Sequence, residues 1–237
     1  MTMERFFCEL GDDDLTGTRV PLDRHQAHHA RRVLRLPDGA EVQLFDGRGR
    51  VAEGVLVDAG SGPMVEVRRF RVEPLTRPYV TIASAIPKAG RVDGMVRQLS
   101  EVGADELLPM TTARSVVHPR PTKLDRLRQV ALESAKQCGR SHALRIADIE
   151  PFDRVLGRPA DVRLFAMPDG GSAAWSPDVE RVVVMVGPEG GWADEEAAAA
   201  RSAGATPWRF GAHVMRIETA SVVAAAMVRA GTGGAGL

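Results

Sequence analysis

The sequence predicts a two-part α/β protein, and three observations lead to this fold class. Short apolar runs separated by turn residues fill about the first seventy residues, which favours a small β-barrel or sandwich. Residues 72–78, VEPLTRP, carry two prolines that restrict the preceding residues to extended backbone, so we place a domain boundary between 1–73 and 74–237. Beyond it strands and helices alternate, which predicts a mostly parallel sheet with helices on both faces.

In the first part, apolar runs predict strands at 41–45, 54–57 and 64–67. One helix interrupts this pattern. Asp23 can cap a helix over 24–35, which the following Pro-Asp-Gly turn ends.

In the second part, the helix over 92–103 places Val92, Met95, Val96 and Leu99 on one face. Thr122 can cap the next helix, which Gly139 ends. The complete set of predicted elements is strands at 79–86, 106–110, 162–166, 182–186 and 206–210, and helices at 92–103, 123–138, 194–203 and 218–230.

Composition indicates a globular protein, with 44% hydrophobic residues, 26% charged residues and zero net charge. No apolar run approaches the roughly 20 residues of a membrane helix, and the N-terminal residues lack the features of a signal peptide. We therefore expect a cytoplasmic protein without a membrane partner. Cys8 and Cys138 lie far apart, and no zinc-like spacing of Cys and His occurs, so we expect neither a disulfide nor a metal.

The charges are unevenly distributed along the chain. Residues 114–145 contain eight Lys or Arg residues against two acids, and residues 24–35 contain four arginines and three histidines. Local basic patches on a neutral protein can bind a nucleic-acid backbone, but they are equally typical of solvated helix faces.

Three loops follow predicted strands and carry unusual residues: 86–91 (IPKAGR), 187–191 (GPEGG) and 211–219 (GAHVMRIET). In open α/β sheets ligands bind beyond the carboxyl ends of the strands. A glycine turn lets a ligand approach the backbone, although glycine is also common in ordinary strand-to-helix turns. The sequence contains neither GxGxxG nor a P-loop, so these loops do not form a nucleotide-phosphate fingerprint.

Five segments together resemble SPOUT-superfamily methyltransferases of the RsmE type, and the resemblance covers nearly the whole chain. VGPEGG (186–191) and FGAHVMRIETA (210–220) resemble the two motifs that bind S-adenosylmethionine in that family. Residues 85–117 resemble its lysine loop, helix and following segment, and ESAKQCGR (133–140) resembles its E-A-x-Q-C-G-R signature. Residues 28–49 resemble its N-terminal RNA-binding domain.

The resemblance implies an N-terminal PUA-like β-barrel, followed by a SPOUT-type α/β methyltransferase domain with a C-terminal trefoil knot. It implies S-adenosyl-L-methionine as cofactor and a homodimer as the assembly. It also implies N3 of a uridine in 16S ribosomal RNA of the small ribosomal subunit as the methylated atom, at position 1498 in the usual ribosomal RNA numbering.

Site residues follow from the matched motifs. The cofactor-binding candidates are Val186, Gly187, Pro188, Glu189, Gly190, Gly191, Phe210, Gly211, Val214, Met215, Arg216, Thr219 and Ala220. The RNA-binding candidates are Arg24, His29, Arg32, Arg35, Lys88, Arg91, Arg114 and Arg140.

The last motif departs from the family's usual L-G-P-R-I-L-R-T-E-T-A. Ala212, His213, Met215 and Ile217 stand where proline, arginine, leucine and threonine are usual. The usual side-chain roles at 213 and 217 are therefore not carried over to this chain.

Methylation of uracil N3 requires loss of its proton. We assign Arg216 to stabilise the resulting anion and Glu218 to act as the base. Alternatively, Arg216 pairs with Glu218 or binds phosphate, while Glu218 serves the first turn of the last helix. Two other functions also remain open: a SPOUT enzyme for another rRNA or tRNA nucleotide, and a non-catalytic RNA-binding ribosome-assembly factor.

Overall fold

The computed structural model describes residues 3–60, 62–88, 90–117 and 121–231, which form two compact units. The first unit contains the described residues up to Leu75 together with Ala135–Ala143. The second contains Thr76–Ser134 and the described residues from Leu144 onward.

The first unit is built on a five-stranded sheet with the order β1-β3-β4-β5-β2, in which only β1 and β3 pair in parallel. Alternate residues of its strands, among them Val42 and Leu44, point into an apolar core. Strand β3 has the predicted bounds, β4 and β5 extend beyond theirs as one long hairpin, and the short β1 and β2 were not predicted. The strands are β1 (Glu4–Phe7), β2 (Arg19–Pro21), β3 (Glu41–Phe45), β4 (Arg50–Asp58) and β5 (Pro63–Val72).

The predicted cap of the first helix is confirmed, but its predicted length is wrong. The Asp23 carboxylate accepts a hydrogen bond from the Gln26 N–H at 2.7 Å, and helix α1 (Arg24–His28) follows. A π-helical stretch (His29–Val33) continues it, in which the Leu34 N–H donates to the His29 carbonyl at 2.9 Å. Arg35 then has a φ of 54°, which a right-handed helix cannot contain, so the helical path ends before it.

The second unit contains a seven-stranded sheet, and every pairing in it is parallel, as predicted. The strand order is β12-β10-β11-β6-β7-β8, and β9 also pairs with β7. The strands are β6 (Tyr79–Ser84), β7 (Glu106–Thr111), β8 (Arg145–Ile146), β9 (Glu150–Pro151), β10 (Val162–Gly171), β11 (Arg181–Val186) and β12 (Thr206–Trp208). The helices are α2 (Arg91–Glu101), α3 (Pro121–Cys138), α4 (Phe152–Leu156), α5 (Asp194–Ser202) and α6 (Ile217–Gly231).

Both faces of this sheet are covered by helices, which confirms the predicted layering. On β11, Val182 and Val184 pack in a core with residues of α2, α3 and α6. Val183 and Met185 point the other way, into a second core with residues of α4 and α5. This alternation follows from the two-residue period of a strand.

Some predicted boundaries in this unit are wrong. Helix α3 begins at Pro121, so Thr122 lies within its first turn and is not the cap. Strand β12 ends at Trp208 instead of Phe210, which leaves Phe210 in the following loop. Helix α3 ends at Cys138, before Gly139 with a φ of 85°, as predicted.

Within the described part of the chain, no helix has the length and apolar character that crossing a membrane requires. The same residues contain no group of three or more His, Cys, Asp or Glu side chains arranged to hold a metal ion.

Candidate active site

A cavity of about 460 Å³ lies at the carboxyl ends of β11 and β12 and beside the middle of β10. These strands are neighbours in a parallel sheet, so the loops that follow them meet at one edge. The loop after β11 and the loop after β12 form most of the wall, and residues 166–168 of β10 and the first turns of α5 and α6 complete it. The volume falls within the range of about 300–1,000 Å³ that is typical of small-molecule sites.

Most of the sequence-predicted cofactor residues line this cavity. The structure thereby brings together two glycine-containing segments that are separated in sequence by α5 and β12. Gly190, Arg216 and Thr219 are not among the lining residues. The predicted residues that do line it are Val186, Gly187, Pro188, Glu189, Gly191, Phe210, Gly211, Val214, Met215 and Ala220.

The three glycines of the 187–191 turn differ in how strictly the structure requires a glycine. A Cβ on Gly187 would lie 3.0 Å from the ring of Trp192, so protein and not ligand occupies the space beside it. Gly191 has a φ of 70°, which favours glycine, while its Cβ position is open. A Cβ on Gly190 would make an ordinary contact, 3.4 Å from the Arg114 Cβ.

Sequence reasoning missed about half of the cavity wall. Trp192 is buried, its indole N–H donates to the Ala166 carbonyl at 2.9 Å, and its ring packs against Phe152 and Phe165. An aromatic residue directly after GPEGG was the available signal, whereas residues 166–168 join the wall only because β10 lies between β11 and β12. The missed residues are Ala166, Met167, Pro168, Trp192, Asp194, Ala197, Trp208, Arg209, Ala212, His213 and Ile217.

The glycine turn is braced by the loop that follows β7. The Arg114 guanidinium donates to the Gly190 carbonyl at 2.9 Å, and the Ala113 N–H donates to the Glu196 carboxylate at 2.8 Å. The other Glu196 oxygen accepts from the Ala193 N–H at 3.0 Å. Arg114, which the sequence suggested for RNA, therefore supports the cavity wall.

The two catalytic candidates, Arg216 and Glu218, are next to cavity residues in sequence but do not line the cavity themselves. Ile217 and Ala220 line the cavity, whereas the Glu218 carboxylate lies 3.5 Å from the Arg91 guanidinium at the start of α2. The second Glu218 oxygen is buried and has no hydrogen-bond partner among the described residues. Arg216 is exposed, and its carbonyl accepts from the Ala220 N–H at 2.8 Å. Arg91, not Arg216, is thus the arginine that faces Glu218.

The remaining RNA-binding candidates belong to different units. Arg24, Arg32 and Arg35 are exposed in the first unit, and His29 is half-buried there, with its ring edge-on to Phe6 at 6.3 Å. Arg140 also belongs to the first unit and is half-buried. In the second unit, Lys88 is exposed in the loop after β6.

Comparison with protein families gives the class of protein that this fold and cavity define. A family model described as an RNA methyltransferase domain matches residues 74–229, and a model described as an RNA methyltransferase PUA domain matches residues 22–72. The chain therefore belongs to the RNA methyltransferase family.

Within that class, several similar curated proteins carry the same name. Ribosomal RNA small subunit methyltransferase E of Mycobacterium tuberculosis (strain CDC 1551 / Oshkosh) is 34% identical over 88% of this chain and 85% of the relative. The protein of that name from Synechocystis sp. is 30% identical over 93% of this chain and 76% of the relative.

Solved structures share the fold along nearly the whole chain. Ribosomal RNA small subunit methyltransferase E from Neisseria gonorrhoeae, bound to S-adenosyl methionine, superposes with a TM-score of 0.86 at 23% identity, covering 97% of this chain and 98% of that one. A probable rRNA-methyltransferase from Porphyromonas gingivalis gives a TM-score of 0.78 at 29% identity, covering 90% of this chain and 92% of that one. The expected combination of a PUA-like domain and an α/β methyltransferase domain is confirmed.

Proposed function

We propose that this chain transfers the methyl group of S-adenosyl-L-methionine to N3 of a uridine in 16S rRNA of the small ribosomal subunit. The observation that carries the proposal is the cavity, because the two segments that resemble cofactor-binding motifs meet as its walls. The names of the similar proteins support ribosomal RNA as the substrate class.

The chemistry of the cavity suits this cofactor. Trp208, Phe210 and Met215 offer apolar surface for an adenine ring, and the glycine turn exposes backbone N–H and C=O groups for its edge. Glu189 and Asp194 place carboxylates at the wall, where they favour a ligand that carries positive charge. When bound there, the cofactor supplies an electrophilic methyl group.

The chain's own task is to generate and hold the nucleophile. Glu218 is our proposed base, because it is a largely buried carboxylate with one oxygen uncommitted among the described residues. Arg91 orients that carboxylate from α2, and Arg216 at the exposed end of the loop stabilises the charge that develops on the uracil oxygens.

RNA binding is assigned to the basic residues of both units. Arg24, Arg32 and Arg35 extend from the first unit, and Lys88 follows β6 in the second. Such contacts with phosphates position an RNA without reading its sequence. Methylation of the small subunit's RNA would place the protein in the cytoplasm.

A homodimer and a trefoil knot complete the proposal. One face of α6 carries three apolar residues at helical spacing, Val223, Met227 and Ala230. Met227 is 41% exposed although it is a large apolar residue. The occupant that we propose for this face is α6 of a second copy. The knot stays a prediction from the family resemblance.

Tryptophan fluorescence and calorimetry test the cofactor assignment. Two of the three tryptophans, Trp192 and Trp208, line the cavity, so saturable binding of S-adenosylmethionine should change the emission. Val214→Trp adds bulk at an exposed cavity residue and should weaken binding at least tenfold, whereas Val116→Trp, at an exposed loop valine outside the wall, should not. Equal affinities of the two folded variants would contradict the assignment.

Methylation itself is tested on small-subunit rRNA that lacks the modification. A methyl group on N3 blocks the Watson–Crick edge, so reverse transcription should stop at one uridine. Glu218→Gln should lower turnover by about 10²- to 10⁴-fold at saturating cofactor, and Glu195→Gln, in the first turn of α5, should leave it unchanged. A stop at another nucleotide would identify a different target, and cofactor binding without methylation of any rRNA would refute the proposed function.

A further inference from the structure

One arginine of the first unit is buried where an edge strand would normally expose a charge. Arg5 lies on β1, at the edge of the five-stranded sheet, yet it is only 8% exposed. Its neighbour Phe6 fills the apolar core, and successive residues of a strand point to opposite faces. Arg5 therefore faces away from that core, toward residues 135–143, which we call the 135–143 segment.

The Arg5 guanidinium contacts this segment at two points. Nη1 donates to the Ala135 carbonyl at 3.0 Å, and Nη2 donates to the Arg140 carbonyl at 3.1 Å. The Ala135 carbonyl belongs to the last turn of α3, where carbonyls lack helical partners and a cation is favourable. The guanidinium also lies 4.5 Å from the centre of the Phe45 ring, which fixes its plane.

The far end of the segment is anchored independently of Arg5. The Gly49 N–H donates to the Ser141 carbonyl at 3.1 Å, and the Ala143 N–H donates to the Gly47 carbonyl at 3.0 Å. The backbone of Arg140 is therefore held by Arg5 at its own carbonyl, and the residues that follow it are held by backbone hydrogen bonds.

We propose that Arg5 is a positioning residue that fixes the 135–143 segment, and with it Arg140, for binding the RNA backbone. The inference rests on the proposed function, because it takes RNA as the ligand of Arg140. Arg5 itself is buried and makes no contact with RNA. The planar Arg5 guanidinium donates to two carbonyls at once, which a lysine ammonium cannot do in the same geometry.

The test compares Arg5→Lys with Arg19→Lys, a matched change at an exposed arginine of the same sheet. Binding to a small-subunit rRNA fragment is measured over a range of salt concentrations, and amide hydrogen exchange is measured over residues 137–140. We expect Arg5→Lys to speed this exchange, to weaken RNA binding about three- to tenfold, and to lower the salt slope by about 0.7, the value of one phosphate contact on single-stranded RNA. The affinity of Arg5→Lys for S-adenosylmethionine should equal that of the wild type. Arg19→Lys should equal the wild type in RNA affinity, salt slope and hydrogen exchange.

A second variant and a double mutant keep the test independent of the folding of Arg5→Lys. Gly139→Ala strains a residue with a φ of 85° beside Arg140 and should weaken RNA binding in the same way. Arg140→Ala should cost about the same affinity, and adding Arg5→Lys to it should cost nothing more.

Each contrary result has a distinct meaning. Unchanged RNA affinity in folded Arg5→Lys, or losses that add fully to those of Arg140→Ala, would overturn the positioning role and leave the proposed function intact. Wild-type protein with no measurable affinity for the rRNA fragment would overturn the proposed function and the inference with it.

Discussion

The side chain of Trp192 determines how the glycine turn can vary. Its indole is fixed by a hydrogen bond to the Ala166 carbonyl and by contacts with Phe152 and Phe165. The ring therefore cannot yield to a new atom on Gly187, 3.0 Å away. Glycine is needed at 187 because the Trp192 ring packs against it, whereas Gly191, four residues later, is needed for its left-handed backbone conformation.

Gly187→Ala should accordingly be far more damaging than Gly190→Ala. The added methyl group overpacks the Trp192 contact, and we expect a loss of about 1–3 kcal/mol in the free energy of unfolding and weaker cofactor binding. Gly190→Ala meets only ordinary contacts with Arg114 and should change stability by less than about 1 kcal/mol. Denaturant unfolding and calorimetry of both variants check this, and similar losses in the two would show that Trp192 does not set the constraint.

Ion pairs connect the secondary-structure elements around β7, the strand with which both β8 and β9 pair. The Arg158 guanidinium donates to both Glu150 oxygens, at 3.0 and 2.6 Å, and to the buried Glu106 carboxylate of β7 at 3.2 Å. Arg145 of β8 reaches the same Glu106 oxygen at 2.8 Å. The strands β7, β8 and β9 are therefore joined by charged side chains as well as by backbone pairing.

This network predicts a loss of stability in acid. Hydrogen bonds from Arg158 lower the pKa of Glu150 below its ordinary value. A lowered carboxylate pKa contributes stability that is present above the unfolded pKa, about 4.3, and is lost as the pH falls through the folded pKa. Glu150→Gln should cost about 1 kcal/mol at pH 7 and flatten the fall in unfolding free energy below about pH 4.

The control for this prediction is Asp153→Asn, which removes a carboxylate from an exposed residue of α4. It should leave both the stability at pH 7 and its dependence on pH unchanged. Parallel curves for wild type and Glu150→Gln between about pH 3 and pH 5 would contradict the prediction.

At the scale of the whole molecule, the exposed face of α6 bears on assembly. If two copies associate through it, Met227→Asp should place a charge in an apolar interface and shift the protein from dimer to monomer in light scattering. Val72→Asp, at an exposed valine of the first unit, should leave the mass unchanged. A wild-type monomer at micromolar concentration would refute this assembly.

A secondary-structure element of this protein could be predicted from sequence when a local residue pattern encodes it. Val92, Met95, Val96 and Leu99 repeat at helical spacing, so the buried face of α2 was predicted from sequence alone. The four-residue β1 and the two-residue β8 are too short to carry a period, and they form because neighbouring strands pair with them.

The candidate site also has parts that a local sequence pattern predicts and parts that it does not. The glycine turn and the 210–220 segment carry recognisable motifs, and both line the cavity. The wall formed by residues 166–168 and the approach of Arg91 to Glu218 depend on strand order and on helix packing, which no local pattern encodes. The pairing of Arg216 with Glu218, a possibility that the sequence leaves open, is not found among the ion pairs of the described residues, in which Arg91 of α2 contacts Glu218.

The order of the cavity-lining residues along the chain has a consequence for protein synthesis. Every residue that lines the cavity comes after residue 165, and the last of them, Ile217 and Ala220, belong to the final helix. The basic residues at 24–35 and the 135–143 segment are translated much earlier. A polypeptide whose translation stops before α6 would thus carry the proposed RNA-binding residues of the first unit without a complete cofactor cavity, and we expect it to bind RNA without methylating it.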